Sequence, residues 1–511
     1  MIKHSEKLAY SLEVLQKAQR DGVVRSSELS RTHRERLVRN GFLNEVVKGW
    51  LIVTNPSLEG GTSTSWYASF WPFVRGYLND RFGDEYSLSA EASIKLYTAC
   101  TTIPEQLIVI TKGKGSQTLS LPFGTSLLIY QDEKNFPEDR VNIDGLWIME
   151  LPVALCRVQP AFFRNNPNDS EIALRMAKDP SQLLRILLEE GKSAIAGRLV
   201  GAYEFIGEER FSNRILKGMK VAGYSVRPSN PFARNVPALK KGRRIVSPYV
   251  ARIETMWRSM RGEVVDIFPE EPGMPDDLES YMNQIDEIYL KDAYNSLSIE
   301  GYQISYELIM KIRKGEWNID QDSHDRRHSD AMVAKGYSQA FEAVKESIVK
   351  ILKGDKPADI ADVELSEWYS RMFSPSVQAG ILKPSDLAGY RNEQVYIRNS
   401  LHVPPPKAAV IDCMEAFFSL LRDEVSVAVR AVLGHFIFVF IHPYMDGNGR
   451  IGRFLMNTML ASGGYPWTVI RIERRSQYLI ALEEASVEGK IRKFTEFIKE
   501  EMTHWQVKAN P

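Results

Sequence analysis

Apolar positions along the first fifty residues recur at two different spacings. In LAYSLEVLQKAQ, Leu8, Leu12, Leu15 and Ala18 return every three or four residues, which predicts a helix stopped by Gly22. Ser30 opens a second helical stretch, RTHRERLVRN, that Gly41 ends, and FLNEVVKGWLIV then reads as a hairpin with Lys48-Gly49 near its turn. Residues 56 to about 225 mix strand-like runs (EQLIVI, TSLLIYQ, LWIMELP) with helical ones (AEASIKLYTA, DPSQLLRILLEE, SAIAGRLVGAYEFIG). The stretch 226–248, VRPSNPFARNVPALKKGRRIVSP, carries four prolines and a basic cluster and reads as a linker. From 249 onward the helical period dominates, interrupted by GYRNEQVYIRNSLHVPPP at 389–406, where Val395 and Ile397 alternate like a short strand before three prolines. That interruption predicts a small hairpin on a helical platform.

At 511 residues the chain predicts several domains. Helix, helix and hairpin in 1–55 resemble a winged helix, although the segment between Gly22 and Ser30 is short for a middle helix. Ten Lys and Arg oppose six Asp and Glu there, and Arg31, Arg34 and Arg39 lie on the second helix, where DNA phosphates or base edges would be met. A solvated basic face on a protein-binding module is the alternative. Over roughly the first 230 residues the sequence resembles AbiEi-like antitoxins, through this start, LLEEGKSAIAGRLVGAYEFIG and the closing GYSVRPSNPF. The region 56–225 offers no nucleophile, acid–base pair or phosphate loop, so a regulatory α+β domain is expected.

Whole-chain charge is balanced, 65 basic against 65 acidic residues, so no global field points to nucleic acid or membrane. Cys100, Cys156 and Cys413 are widely spaced and fit reduced thiols in a cytoplasmic protein. The longest apolar run, 431–441, has 11 residues, short of the roughly 20 that span a bilayer. It predicts a buried helix, with His435 a satisfied core histidine.

That helix delivers HPYMDGNGRIGR, 442–453. Pro443 blocks simple continuation, and Gly447 and Gly449 allow a tight turn into a helix beginning near Asn448. A backbone nest, a helix N-terminus, Arg450 and Arg453 form an anion site suited to several phosphates. Asp446 beside it would repel phosphate unless Mg²⁺ lay between them. His442, left without a structural task, suits a general base for a hydroxyl attacking an α-phosphate, with pyrophosphate released. The 389–406 hairpin, if it borders this pocket, would hold an acceptor segment by adding a strand. The bland alternative is a helical corner whose glycines serve packing.

These residues resemble the signature HPFx(D/N)GNGRxxR of the Fic family, with Tyr444 in place of phenylalanine; the resemblance runs over about 249–500. It implies an all-α fold with a β-hairpin flap at about 392–404 that meets a target protein, and transfer of AMP from ATP to a protein Ser, Thr or Tyr with Mg²⁺. By position His442 is the base, Asp446 the metal ligand, and Gly447, Asn448, Gly449, Arg450 and Arg453 the phosphate site. Gly449 favours AMP transfer, because phosphate-moving relatives tend to carry lysine there. Tyr478 and Ser486, in line with Leu482 on one helical face, are expected near the adenosine. SLSIEG, 296–301, resembles the family's inhibitory motif (S/T)xxxE(G/N), with Ser296, Glu300 and Gly301 in place. It implies that Glu300 seizes Arg453, the handle for the γ-phosphate, and reverse removal of AMP is a further possibility. HDRRH, 324–328, reads as a solvated loop, and His402 as a packing residue. The expected architecture is a winged helix (1–55), a regulatory α+β domain (56–225), a linker and a Fic domain (249–505), in a protein able to form homo-oligomers. A DNA-binding or antitoxin-like regulator whose Fic domain senses ATP, or has only a minor activity, is the competing reading.

Overall fold

The computed structural model of the chain describes residues 4–56, 63–113, 115–232, 247–317, 325–387 and 389–509. They divide into two compact units: residues 1–252 with Tyr396–Val403, and Ile253–Val395 with Pro404–Pro511.

The first unit begins with α1 (His4–Ala18), β1 (Val23–Arg25), α2 (Arg31–Arg39), β2 (Leu43–Val47) and β3 (Trp50–Val53), the strands forming an antiparallel sheet in the order β1-β3-β2. Ser30 caps α2 by accepting from the His33 N–H at 3.4 Å. The short segment after Gly22 holds β1 and a 3₁₀ turn at Ser26–Glu28. Leu15, Val24, Leu29, Leu37, Leu43 and Leu51 close a small core, the product of the two spacings seen in the sequence. On α2, Arg31 is paired with Glu35 at 2.7 Å.

Next come α3 (Thr64–Phe82), β4 (Tyr86–Leu88), α4 (Ala90–Tyr97), β5 (Gln106–Thr111), β6 (Gln117–Ser120) and β7 (Ser126–Gln131). The sheet runs β4-β5-β7-β6, with β5 and β7 parallel and the other pairs antiparallel. The long aromatic helix α3 was not apparent from the sequence. It packs Phe73 and Tyr77 against Trp50, and Gly76 admits that ring where a Cβ would lie 2.9 Å from it. A hairpin of β8 (Arg140–Ile143) and β9 (Leu146–Met149) leads to six helices, α5 (Leu151–Arg157), α6 (Pro160–Asn165), α7 (Pro167–Met176), α8 (Pro180–Glu189), α9 (Ser193–Phe205) and α10 (Glu209–Val221).

The first residues of the expected linker are packed in this unit. Phe232 is buried in this unit's core, and the Ser229 N–H donates to the Gly197 carbonyl at 3.0 Å. At Gly201 a Cβ would strike the Ser229 backbone, so the glycines of α9 make room for this stretch. Residues 233–246 lie outside the described residues.

The expected flap hairpin is also corrected. No strand ladder forms within 389–406 among the described residues; a single antiparallel bridge joins His402 to Thr102. Three prolines in succession remove the N–H donors a ladder needs. Instead the Ile103 N–H donates to the Leu401 carbonyl at 2.9 Å, and buried His402 faces Thr101, inside the first unit. At the base of the segment, Gln394 Nε2 donates to the Pro404 carbonyl at 2.9 Å and Arg391 reaches that of Pro405.

Among the described residues the regular structure of the second unit is helical: α11 (Pro248–Ile267), α12 (Leu278–Ile299), α13 (Tyr306–Arg313), α14 (Asp325–Leu352), α15 (Pro357–Gln378), α16 (Val410–Asp423), α17 (Val427–Ile441), α18 (Asn448–Ala461), α19 (Arg475–Glu488) and α20 (Arg492–Ala509). Apolar on every side, α17 is the buried axis, with Val432, Phe436 and Ile437 fully enclosed and α18 packed along it. Gly336 brings α14 onto the α15 backbone, where a Cβ would meet the Met372 carbonyl. The side chains of 324–328, including the two histidines of HDRRH, lie outside the described residues.

Candidate active site

At the end of α17 the backbone of His442 turns left-handed, with φ 54° and ψ 59°. For a residue with a side chain this costs about 1–3 kcal/mol, and it persists only where the surroundings over-determine it. Here they do. Arg391 donates from its backbone N–H to the Pro443 carbonyl at 2.8 Å and from Nε to the His442 carbonyl at 2.8 Å. Tyr444 stacks on Tyr369, ring centroids 3.8 Å apart. The Asn448 side chain accepts from the Tyr444 N–H at 2.9 Å and donates back to its carbonyl at 2.8 Å. The Asn448 amide is therefore committed to holding the loop, and what it can present to an anion is its backbone N–H. Arg391 was not singled out in the sequence, since nothing local marks it.

The His442 ring lies 3.3 Å from the Val439 carbonyl through Nδ1. A carbonyl can only accept, so Nδ1 carries the proton and Nε2 keeps its lone pair. Burial pushes the imidazole down to about 4 against the upward pull of this hydrogen bond, so the ring is neutral at physiological pH.

Gly447, at φ 80°, caps α18, and a Cβ there would meet the Phe373 ring at 2.8 Å. The first N–H groups of α18 have no partner within the helix and point past its end, with the positive end of the helix dipole behind them. Arg450, almost fully buried, lies over the rings of Tyr302 and Phe373 at 5.3 and 5.0 Å and donates to Asp446 Oδ2 at 2.8 Å. The Asp446 side chain is 64% exposed. Such an accessible carboxylate beside a phosphate cradle, shared with one arginine, would be the residue to hold a Mg²⁺. Among the described residues no group of three or more His, Cys, Asp or Glu could hold a metal.

Arg453, one turn further along α18, faces α12. Its Nε donates to Ser296 Oγ at 2.9 Å, and Nη2 to the Ser296 carbonyl at 3.1 Å and to Glu300 Oε1 at 2.7 Å. Burial works against its charge, yet the adjacent Glu300 carboxylate leaves the guanidinium above its ordinary range. Gly301, at φ 92°, ends α12 in a left-handed turn, with the Tyr302 N–H returning to the Leu297 carbonyl at 3.2 Å. That turn sets Glu300 at the helix end and Tyr302 against Arg450. Gly449 has its own role: a Cβ there would lie only 2.4 Å from Glu300 Oε1.

The expected adenosine contacts fare differently. Tyr478 is buried, its ring beside Phe497 at 5.8 Å and its hydroxyl 2.7 Å from His435 Nε2. The ring is enclosed, and its hydroxyl also meets Arg453. Ser486 is half-buried on the same helix. The structure thus brings together His442, Asp446, Gly447, Gly449, Arg450, Arg453, Ser296 and Glu300, while Asp292, Tyr302, Tyr337, Phe373 and Arg391 join them unforeseen.

Residues 363–460 match the Fic/DOC family model. The chain is 32% identical over 216 residues to "Protein adenylyltransferase Fic" of Drosophila willistoni, a match covering 42% of this chain and 40% of that one. The Drosophila melanogaster protein of the same name matches with the same identity and coverage. The chain thus matches less than half the length of these curated relatives. Among solved structures, "Fic-1 (aa134 - 508) from C. elegans" is 18% identical, with 67% of this chain and 92% of that one covered at a TM-score of 0.38. The 442–453 loop lies inside the residues that match the Fic/DOC family model.

Proposed function

We propose that the protein is a self-inhibited protein adenylyltransferase, moving AMP from ATP to a Ser, Thr or Tyr hydroxyl of another protein. The observation that carries this reading is a neutral His442 with a free Nε2 lone pair, at the mouth of the α18 N-terminus and two arginines. Nε2 accepts the acceptor hydroxyl's proton as that oxygen bonds to the α-phosphorus. The bond from the α-phosphorus to the bridging oxygen breaks, and its electron pair leaves with pyrophosphate. The N–H groups of α18 and Arg450 hold the phosphate oxygens, and Arg453 takes the γ-phosphate. Asp446 is the residue to hold Mg²⁺, which when bound would neutralise charge on the phosphates.

Glu300 is the brake, because its ion pair uses the guanidinium that the γ-phosphate needs. Reverse removal of AMP fits the same site, with Glu300 orienting water. In this reading a target protein would meet residues 392–404, the cell compartment would be the cytoplasm, and homo-oligomers are compatible. No helix among the described residues is long and apolar enough to cross a membrane. The test is transfer of label from α-labelled ATP by Glu300→Gly, with His442→Ala in the same background as control. Absence of label on any protein with Glu300→Gly would sink the enzyme reading.

A second reading rests on residues 1–55. The antiparallel sheet with α1 and α2 supports a winged helix, with Arg34 and Arg39 on α2 available to DNA phosphates, in an AbiEi-like regulatory half. In it the chain is a DNA-binding or antitoxin-like regulator, and its Fic domain an ATP sensor or a minor activity. Full-length protein would shift a duplex with an affinity that falls steeply with salt. Binding indifferent to both salt and sequence would remove it.

A further inference from the structure

Asp292, Ser296 and Glu300 stand four residues apart on α12 and form one stripe. Its two carboxylates are built differently. Glu300 ends the helix, and its side chain is 32% exposed. Asp292 lies two turns back, 4% exposed, where a bare carboxylate would cost several kcal/mol. It is not bare: the Tyr337 hydroxyl donates to Asp292 Oδ2 at 2.6 Å. Tyr337, fully buried on α14, is in turn hydrogen-bonded to Ser296, the residue whose Oγ accepts from Arg453 Nε.

Proton bookkeeping gives this chain one direction. Arg453 can only donate, so Ser296 Oγ accepts from it and gives its own proton to Tyr337, and Tyr337 gives its proton to Asp292. The ionised carboxylate at the end is the one group that needs to give nothing. On its other side Arg453 meets the Tyr478 hydroxyl, which closes on the lone pair of His435 Nε2. Burial pushes Asp292 up to about 6, with Tyr337, Trp467 and Arg453 working against that rise.

We propose that Asp292 and Tyr337 are positioning residues for Arg453: Asp292 is its fixed counter-charge, Glu300 its removable one. When Glu300 leaves, Arg453 gives up one acceptor and keeps Ser296, so the guanidinium stays where the end of the triphosphate arrives. Without the Tyr337–Asp292 terminus, Ser296 is free to turn and Arg453 to follow Glu300 outward. The inference rests on the assignment of Arg453 to the γ-phosphate.

The test uses full-length protein in the Glu300→Gly background and compares ATP with ADP binding, since only ATP carries the phosphate Arg453 would hold. Tyr337→Phe and Asp292→Asn are expected to weaken ATP binding about tenfold, equivalent to about 1.4 kcal/mol, with ADP binding changed less than twofold. Their transfer rates at saturating ATP would stay within about threefold of the parent, placing the loss in KM. Unchanged ATP binding in both variants overturns the proposal. An equal loss for ATP and ADP also overturns it, because that is the mark of a damaged core. A Glu300→Gly parent with no preference for ATP over ADP removes the γ-phosphate assignment itself and this inference with it.

Discussion

Arg453 and Glu300, 153 residues apart in the chain, are joined by a 2.7 Å hydrogen-bonded ion pair. The arginine is buried and the glutamate is the accessible partner, so the pair opens from the Glu300 side. Replacing Glu300 by Gly should raise AMP transfer, self-modification included, about tenfold or more, which corresponds to at least roughly 1.4 kcal/mol. Incorporation of label from α-labelled ATP measures it, and a rate at or below that of the parent with intact ATP binding rejects the brake.

Gly449 should be energetically coupled to Glu300. An alanine there puts a methyl group 2.4 Å from Glu300 Oε1, too close for both to stay. Gly449→Ala is expected to loosen the ion pair and relieve part of the inhibition, and to give no relief once Glu300 is already Gly. A double-mutant cycle on transfer rates should show a coupling of about 0.5 kcal/mol or more. Additive effects would mean that the two positions do not share that space.

The base should work at unusually low pH. A lowered imidazole pKa keeps the neutral, proton-accepting form populated until the pH approaches about 4. In Glu300→Gly protein, kcat/KM is therefore expected to stay flat from pH 8 down to about 5.5, where an ordinary histidine with a pKa of about 6.5 would already have lost most of its base form. A half-maximal point near 6.5 in initial rates would contradict the lowered pKa of the Val439-bound ring.

Arg391 should matter through placement alone. It holds the carbonyls of His442 and Pro443, at 2.8 Å each, and is far from Arg450 and Arg453 in sequence. Arg391→Ala is expected to lower the transfer rate by about a hundredfold, since a 1 Å misplacement of a reacting group can cost that much. ATP affinity, measured by calorimetry, should change little; a comparable loss there would show that the cradle had collapsed as well.

Asp446 gives the metal prediction. In the Glu300→Gly background, Asp446→Ala should reduce transfer about tenfold or more and raise the Mg²⁺ concentration needed for half-maximal rate. An unchanged Mg²⁺ titration would remove Asp446 from that role.

The 442–453 loop was legible in the sequence because its parts are local. A proline and two glycines dictate the turn, and helical spacing alone puts Arg450 and Arg453 on one face of α18. The buried axis α17 was equally clear, since eleven apolar or enclosed positions in a row leave a helix no side for water. The same local logic failed at the flap, where side chains of Arg391 and Gln394 satisfy carbonyls that a hairpin ladder would have used. Nor does helical spacing reveal that the core encloses the ring of Tyr478.

By itself, then, the sequence determined the chemistry within one turn and two helices: a histidine, a carboxylate and an anion cradle at set intervals. Only the tertiary structure decided what faces them. Arg391, Asp292 and Tyr337 carry no mark in their own neighbourhoods, and become parts of the site because packing brings helices from distant stretches within hydrogen-bonding distance. Burial then decides what each does, since a buried charge must find a partner and a buried imidazole stays neutral.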